Sequence, residues 1–182
     1  MNKKYIKRLT VCAMLAALSI VSLYFIRFPL IPSAPFLEYD AADVPVMTAA
    51  LMFGPVTGLV TLFCVCLIQA LTVSASSGII GFFMHFIASS VLVLLPALVY
   101  GKRGSNKALT VSLALSCVFM TVIMIPLNLI FTGIFMGVGS KAVIKMLVPA
   151  IIPFNLLKGI INCALTFAVF TPVKKIISGG KI

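Results

Sequence analysis

The stretch VPVMTAALMFGPVTGLVTLFCVCLIQALTV, residues 44–73, is almost continuously apolar, and it decides how many helices the chain forms. A helix needs about 20 mostly apolar residues to cross a bilayer, so this run is too long for one untilted crossing and short for two. The segment GPVTG at 54–58 divides it, because a Gly-Pro pair interrupts helices. We therefore predict a short helix over 44–53 and a second helix over 55–73.

Further apolar runs lie on both sides of this stretch. The first is too long for the core of a secretory signal, which spans about 7–15 residues, and more apolar runs follow it. A Gly-rich connector with Lys141 and Lys145 precedes the last run. We predict one all-α transmembrane domain over 1–182, with a long external loop over 27–43 and six transmembrane helices at about 9–26, 44–53, 55–73, 79–100, 108–132 and 150–173.

The composition excludes a water-soluble domain. The chain is 62% hydrophobic and only 9% charged, whereas soluble domains are about 45–50% apolar and about 25% charged. The net charge of +11 does not indicate nucleic-acid binding, because the basic residues flank apolar runs instead of forming a stripe. The five cysteines lie inside apolar runs without metal-ligand spacing, so we interpret them as small apolar residues of the interior.

The basic residues also predict the orientation. With six helices, both termini and the 102–107 loop lie on one side, together with ten of the fourteen basic residues. The positive-inside rule then places both termini in the cytoplasm of a multi-pass cell-membrane protein. The first loop accordingly faces outward.

That first loop contains FLEYDAADVP, residues 36–45, which holds the only three acidic residues of the chain: Glu38, Asp40 and Asp43. Three compatible interpretations follow. Asp43 can cap the second helix, with Pro45 close behind it. The carboxylates can pair with Lys158 or Arg27. The loop can also be a lid that touches a solute directly.

Polar residues inside the last helix predict a binding pocket. Asn155, Lys158 and Asn162 follow i, i+3, i+7 spacing, so they share one helix face, and a central lysine costs roughly 2.5–3.5 kcal/mol in a membrane. We predict that this face lines a solute pocket. The alternative is that Lys158 snorkels to the outer surface.

Two further polar residues are weaker candidates for ligand contact. Asn128 follows Pro126 in helix 5, where a lone asparagine otherwise joins helices. His85 is the only histidine, and such a residue is more often structural than part of a proton relay.

The sequence contains no signature of catalysis or of ATP hydrolysis. G-x-x-x-x-G-K-[ST], H-E-x-x-H and G-x-S-x-G are all absent, and we predict neither catalytic nor metal-binding residues. All three carboxylates lie in one loop, which disfavours an ion-coupled carrier with an acid inside the membrane. In helix 1, Ala13 and Ala17 form a small-xxx-small pattern that lets another helix approach closely.

Several of these pieces occur together and in order: Ala-x-x-x-Ala in helix 1, FLEYDAADVP, LMFGPVTGL, GFFMHFIASS and IIPFNLLKG. This order resembles the riboflavin-specific S components of energy-coupling factor (ECF) transporters, the RibU family, over about the whole chain. The resemblance implies a protein that binds riboflavin from outside as cargo, without a cofactor of its own. It also implies assembly with a transmembrane coupling (T) protein and two cytoplasmic ATPases.

The resemblance also assigns residues. Asn128, Asn155 and Lys158 would hydrogen-bond the flavin ring edge or ribityl chain, and the loop around Leu37, Glu38, Tyr39 and Asp40 would close over the ligand. Asn162 and His85 are further candidates, although the family commonly has Asn where this chain has His85. Ala13 and Ala17 would face the coupling protein. The alternatives are an S component for another vitamin or precursor, a self-sufficient small-solute carrier, an intramembrane enzyme and a structural scaffold.

Overall fold

Six helices follow the order of the apolar runs in this computed structural model, which describes residues 3–177. The positive-inside count includes Lys181, which lies outside the described residues. The last two of these helices each contain one wide π turn, at Asn128–Thr132 and Leu147–Ile151. The helices are α1 Lys3–Phe25, α2 Asp43–Phe53, α3 Pro55–Leu71, α4 Gly78–Arg103, α5 Asn106–Met136 and α6 Ser140–Ile177.

The break between α2 and α3 falls at the predicted Gly-Pro pair. Gly54 has a φ of 94°, a backbone conformation that side-chain-bearing residues rarely adopt, and Pro55 begins α3. Because α2 has only 11 residues, it extends about 16 Å, roughly half the thickness of a bilayer core. Within the described residues, four helices (α1, α4, α5 and α6) are long and apolar enough to cross a membrane. Six full crossings therefore stay a prediction.

The first loop is more ordered than predicted for an all-α chain. Strands β1 (Arg27–Pro29) and β2 (Glu38–Asp40) pair antiparallel, with Arg27 opposite Asp40 and Phe28 opposite Tyr39. The segment between the strands packs on the first half of α6, where Ala34 and Leu37 join a buried cluster that includes Val143, Ala150 and Phe154. We refer to β1, β2 and the residues between them as the hairpin.

The connector before α6 is shorter than predicted. Helix α5 continues through Gly133 and ends at Met136, and the next residue, Gly137, has a φ of 64° that is typical of the position after a helix. Helix α6 already begins at Ser140, so Lys141 and Lys145 lie on its first turns instead of in a loop. At 38 residues α6 is longer than a bilayer is thick, and it therefore carries side chains from one end of the bundle to the other.

The bundle has two chemically different ends. One end is formed by the first turns of α1 and the last turns of α4 and α6, and we call it the terminal end. There the Lys7 ammonium donates to the carbonyl of Ile177, and Lys174 Nζ donates to Tyr100 Oη at 3.2 Å. The first turns of α1 and the last turns of α4 and α6 thus lie together. At the other end, the loop end, the hairpin lies beside the α3–α4 connection, since Arg27 Nη1 donates to the carbonyl of Val73 at 2.9 Å.

Besides the cluster under the hairpin, the helices bury a larger apolar core and leave an apolar exterior. The exterior includes Leu9, Phe25 and Val148, which are more than half exposed, as expected for a surface that faces lipid. The core takes residues from every helix, among them Leu23, Met47, Leu62, Leu92, Met120 and Phe170.

Candidate functional site

A cavity of about 200 Å³ lies at the loop end, lined by the hairpin, α3, the α3–α4 connection, α4, α5 and α6. Much of its wall is apolar, with Phe36, Phe82, Phe154 and three methionines. Small-molecule sites are typically apolar pockets that contain a few placed polar groups. Six of the predicted site residues line this cavity: Leu37, Glu38, Asp40, His85, Asn155 and Lys158.

Lys158 points inward and pairs with the first loop. Its Nζ lies 2.8 Å from Asp40 Oδ2, and the two side chains are only 12% and 7% exposed. A cation this deep in a membrane protein needs such a partner, because lipid offers none. The snorkelling alternative for Lys158 is therefore wrong, and its pairing with the acidic loop is confirmed. The Asp40 carboxylate also accepts a hydrogen bond from the backbone N–H of Ala42 at 3.1 Å, which fixes its position.

Asp43 was predicted to cap α2, and that prediction is wrong. The N-cap is Ala42, without a side-chain cap, and Asp43 is the first residue of the helix. Its carboxylate instead reaches two other helices: Oδ1 lies 3.2 Å from His85 Nε2 on α4, and Oδ2 accepts from Asn162 Nδ2 on α6 at 3.1 Å. From the first helical position the carboxylate faces α4 and α6, where an imidazole and an amide offer it hydrogen bonds that a buried charge needs.

Tyr39 extends this buried network. Its hydroxyl donates to Asn162 Oδ1 at 3.0 Å, so Asn162 connects the hairpin to Asp43. Burial, with a smaller contribution from neighbouring Asp40, raises the pKa of Tyr39 to about 12, so the phenol stays a donor at physiological pH. Tyr39 and Asn162 are not among the residues that line the cavity. Their contact with a ligand stays a prediction.

Arg27 holds the hairpin at the cavity rim. Its Nε donates to Glu38 Oε2 at 2.7 Å while the same guanidinium binds the carbonyl of Val73. Each of the three acidic side chains thus has a different nitrogen partner: Arg27 for Glu38, Lys158 for Asp40, and His85 for Asp43. This pairing explains why the acidic residues are concentrated in one stretch of the sequence.

The two predicted asparagines on α5 and α6 differ in position. Asn155 lines the cavity, with its Nδ2 bonded to the carbonyl of Ile151 at 2.8 Å. Asn128 is buried but satisfied within α5, since it donates to the Met124 carbonyl and accepts from Thr132. A ligand contact by Asn128 stays a prediction. It requires the Asn128 side chain to share one of these two hydrogen-bonding groups with the ligand.

Sequence reasoning missed the polar wall opposite α6. Gln69, Ser74 and Ser77 line the cavity beside the α3–α4 connection. Among the described residues, Gln69 Oε1 is the one buried side-chain oxygen or nitrogen without a hydrogen-bond partner. Gln69 has the only side-chain amide in the apolar run 55–73, and this isolated polar group is a signal that could have identified Gln69 as a candidate site residue.

The predicted partner-binding residues lie away from the cavity. Ala13 and Ala17 are exposed on α1, between the buried residues Cys12, Leu15 and Ser19 that pack inward. The outer face of α1 is therefore open at these two positions, and its use by a partner stays a prediction.

Comparison with known proteins gives a consistent result. The family described as "ECF transporter, substrate-specific component" matches residues 7–170. The chain is 32% identical over 167 residues to "Riboflavin transporter RibU" of Staphylococcus aureus (strain TCH60), covering 88% of this chain and 87% of that protein. It is 29% identical over 177 residues to "Riboflavin transporter FmnP" of Bacillus subtilis (strain 168), covering 93% of each. A solved structure, "Structure and mechanism of the S component of a bacterial ECF transporter", is similar with a TM-score of 0.81 at 30% identity, over 95% of this chain and 98% of that one.

Proposed function

The chain belongs to the substrate-specific components of ECF transporters, and we propose that it binds riboflavin in the loop-end cavity and delivers it inward with an ATP-driven ECF module. It is a transport protein and not an enzyme. Riboflavin would be its cargo, without a redox role in the protein.

The observation that carries the riboflavin assignment is the pairing of an aromatic and methionine-rich wall with an ammonium and an amide. A flavin is a flat apolar ring system with a uracil-like edge of carbonyls and nitrogens. Phe36, Phe82 and Phe154 offer apolar surfaces to the ring, and Lys158 and Asn155 can hydrogen-bond its polar edge. The sequence similarity to two riboflavin transporters supports the same assignment.

The polar wall of Gln69, Ser74 and Ser77 suits the other part of the vitamin. The ribityl chain carries hydroxyl groups, which donate as well as accept, and Gln69 Oε1 is a buried acceptor without a partner among the described residues. We place the ring edge at α6 and the hydroxyl chain toward α3.

For orientation, we propose six passes through the cell membrane as one substrate-binding domain, with both termini cytoplasmic and the cavity facing outward. The terminal end supports this orientation, because basic residues cluster there on α1, α4 and α6. The short helix α2 then forms a half-length pass, and the segment before it, residues 40–42, enters the bundle from outside.

For coupling, we propose a transmembrane T protein and two cytoplasmic ATPases as partners. The chain has no nucleotide-binding motif, so ATP must be hydrolysed by another subunit. Ala13 and Ala17 offer an exposed, small-residue surface on α1 to which a helix of the T protein can pack.

The absorption spectrum of the detergent-purified protein tests the vitamin. We expect a flavin spectrum in protein purified from cells grown with riboflavin, and stoichiometric quenching of riboflavin fluorescence by the stripped protein. A colourless protein that does not quench riboflavin but binds another vitamin would show that the cargo is different. Uptake by proteoliposomes that contain this chain alone would instead indicate a self-sufficient carrier.

A further inference from the structure

A series of side-chain hydrogen bonds crosses the bundle from the hairpin to α4. Tyr39 Oη on the hairpin donates to Asn162 Oδ1 on α6 at 3.0 Å, and Asn162 Nδ2 donates to Asp43 Oδ2 on α2 at 3.1 Å. Asp43 Oδ1 lies 3.2 Å from His85 Nε2 on α4. These four side chains come from four different elements, and we refer to them as the cross-bundle network.

Of the four members, one reaches the cavity. His85 lines it. The other three are not among the lining residues, and each is at most 3% exposed. A ligand in the cavity can therefore touch His85 directly, whereas it meets Tyr39, Asn162 and Asp43 only through residues that stand between. Any effect of these three residues on binding must be passed on by a neighbour.

Asp43 determines how His85 presents its ring to the cavity. A carboxylate accepts hydrogen bonds and donates none, so the proton of this contact is on His85 Nε2. In a neutral imidazole Nδ1 is then the acceptor, and it is the ring nitrogen that remains for a ligand. Riboflavin has two kinds of donor for such an acceptor, the imide N–H of its ring and the hydroxyl groups of its ribityl chain.

We propose that His85 Nδ1 accepts a hydrogen bond from riboflavin and that the rest of the cross-bundle network positions the imidazole for it. The inference rests on the proposed function, because it takes the vitamin as the ligand of the cavity. It makes Tyr39 a positioning residue that acts on the vitamin through His85. The alternative is that Tyr39 supports only the hairpin and acts through its neighbour Asp40 and the ion pair with Lys158.

Nitrogen NMR observes His85 directly. The sequence contains a single histidine, so protein whose histidine carries an NMR-active nitrogen isotope, purified without a histidine tag, gives signals from this ring alone. Addition of riboflavin is expected to shift the Nδ1 resonance more than the Nε2 resonance, because Nε2 keeps its contact with Asp43. Imidazole resonances that do not change when riboflavin binds would overturn the proposal.

A double-mutant cycle on riboflavin affinity separates the two roles of Tyr39. Gln has an amide nitrogen in place of Nε2 and no counterpart of Nδ1, so His85→Gln can keep the contact with Asp43 and lose the one with the vitamin. We expect it to weaken binding roughly three- to tenfold, as for one hydrogen bond. Tyr39→Phe should weaken binding to a similar extent in the unmodified protein. In the His85→Gln background it should change the affinity by less than about twofold, because no ring remains to be positioned.

Arg27→Gln is the matched control for a loosened hairpin. Arg27 binds Glu38 and the carbonyl of Val73 and is not part of the cross-bundle network. Its effect on affinity should be the same factor in both backgrounds. Equal weakening by Tyr39→Phe in both backgrounds, with riboflavin still bound, would overturn the proposal and leave the proposed function intact. If the unmodified protein bound no riboflavin, the proposed function and this inference would both be wrong.

Two additions cover poor folding and the identity of the donor. The titration gives the number of sites separately from their affinity, so a poorly folded variant lowers the first and not the second. If Tyr39→Phe yields no sites, Asn162→Ser breaks the same network and takes its place. Lumiflavin has a methyl group instead of the ribityl chain. His85→Gln should weaken lumiflavin binding if the imide N–H is the donor, and leave it unchanged if a ribityl hydroxyl is.

Discussion

The loop end and the terminal end of this bundle use charge in opposite ways. At the loop end, acidic and basic side chains are brought inside the protein and paired, as Lys158 is with Asp40 and Asp43 is with His85. At the terminal end, basic side chains remain near the surface, and the described residues there include no acidic side chain. The difference teaches that a charged side chain inside the bundle needs a partner within the protein, whereas a charged side chain at the end of a helix can stay exposed.

The largest expected effect separates binding from coupling. Replacing both Ala13 and Ala17 with Trp should abolish uptake by the assembled transporter, because bulky side chains would keep away the helix of the T protein that we propose to pack there. Riboflavin binding should be unchanged, since both residues lie outside the cavity. Uptake and fluorescence quenching measure the two effects.

The matched control for this variant is Val118→Trp with Val122→Trp. These valines are 53% and 56% exposed on α5 and have the same i, i+4 spacing. We expect them to retain uptake. Loss of riboflavin binding in the α1 variant would contradict the separation between the two surfaces.

The next effect concerns the buried ion pair. Lys158→Met leaves Asp40 buried without its cation, and breaking such a pair costs about 3–5 kcal/mol of unfolding free energy. Adding Asp40→Asn should recover most of that stability, because no unpaired charge remains. Denaturant unfolding in detergent measures the unfolding free energies of the single and the double variant.

The double variant separates fold from function. It should be stable and still bind riboflavin poorly, because the ammonium is missing. A single Lys158→Met variant as stable as the unmodified protein would show that the pair is not needed to hold the hairpin in place.

A smaller effect is expected at Tyr39. Tyr39→Phe leaves Asn162 Oδ1 without its donor, which should cost about 1–3 kcal/mol of unfolding free energy, while Tyr24→Phe on the exposed face of α1 should cost almost nothing. The raised pKa of about 12 predicts the pH dependence. Below the unfolded-state pKa of about 10, the difference between unmodified protein and variant should be constant.

Above that pH the difference should shrink, because the unfolded phenol ionises while the folded phenol still holds its proton. Unfolding free energies measured at several pH values check this direction. A difference that changes between pH 6 and 9 would contradict a protonated, hydrogen-bonded Tyr39.

The smallest expected effect is at the rim. Arg27 and Glu38 are 25% and 37% exposed, and pairs of this kind contribute about 0.2–1 kcal/mol. Arg27→Gln should therefore change the unfolding free energy by less than Tyr39→Phe does, and high salt should reduce the change further. Lys141→Gln, at an exposed position of α6, is the control. If Arg27→Gln lost more unfolding free energy than Tyr39→Phe, the Arg27–Glu38 pair would stabilise the fold as strongly as the buried hydrogen bonds do, which would contradict its description as a partly exposed ion pair.

Much of this arrangement was predictable from local sequence. The Gly54–Pro55 break follows from two residues whose backbone restrictions are local, and the shared face of Asn155, Lys158 and Asn162 follows from the helix period. Lys158 also required a partner, and the chain has so few carboxylates that the acidic loop was the natural source.

The rest depends on tertiary contacts that no local pattern encodes. Asp43 stands next to the position where a cap is expected, but its carboxylate contacts His85 and Asn162 from distant helices instead. Gly133 was expected to belong to the Gly-rich connector before the last helix, although α5 continues through it up to Gly137. The hairpin was not predicted because Pro29, Pro32 and Pro35 are typical of an irregular loop. Gln69 was not predicted as a site residue because one side-chain amide hardly changes the mean polarity of the apolar run 55–73.

Lys158 at the cavity wall is the residue on which the riboflavin site depends most directly, and a riboflavin titration of Lys158→Ala followed by fluorescence quenching tests its role. The control is Lys145→Ala, an exposed lysine of the same helix. We predict that Lys158→Ala weakens binding by roughly 1.5–3 kcal/mol, the range for hydrogen bonds to charged groups, while Lys145→Ala leaves it unchanged. A dissociation constant for Lys158→Ala equal to that of the unmodified protein would contradict the assignment of this cavity as the riboflavin site.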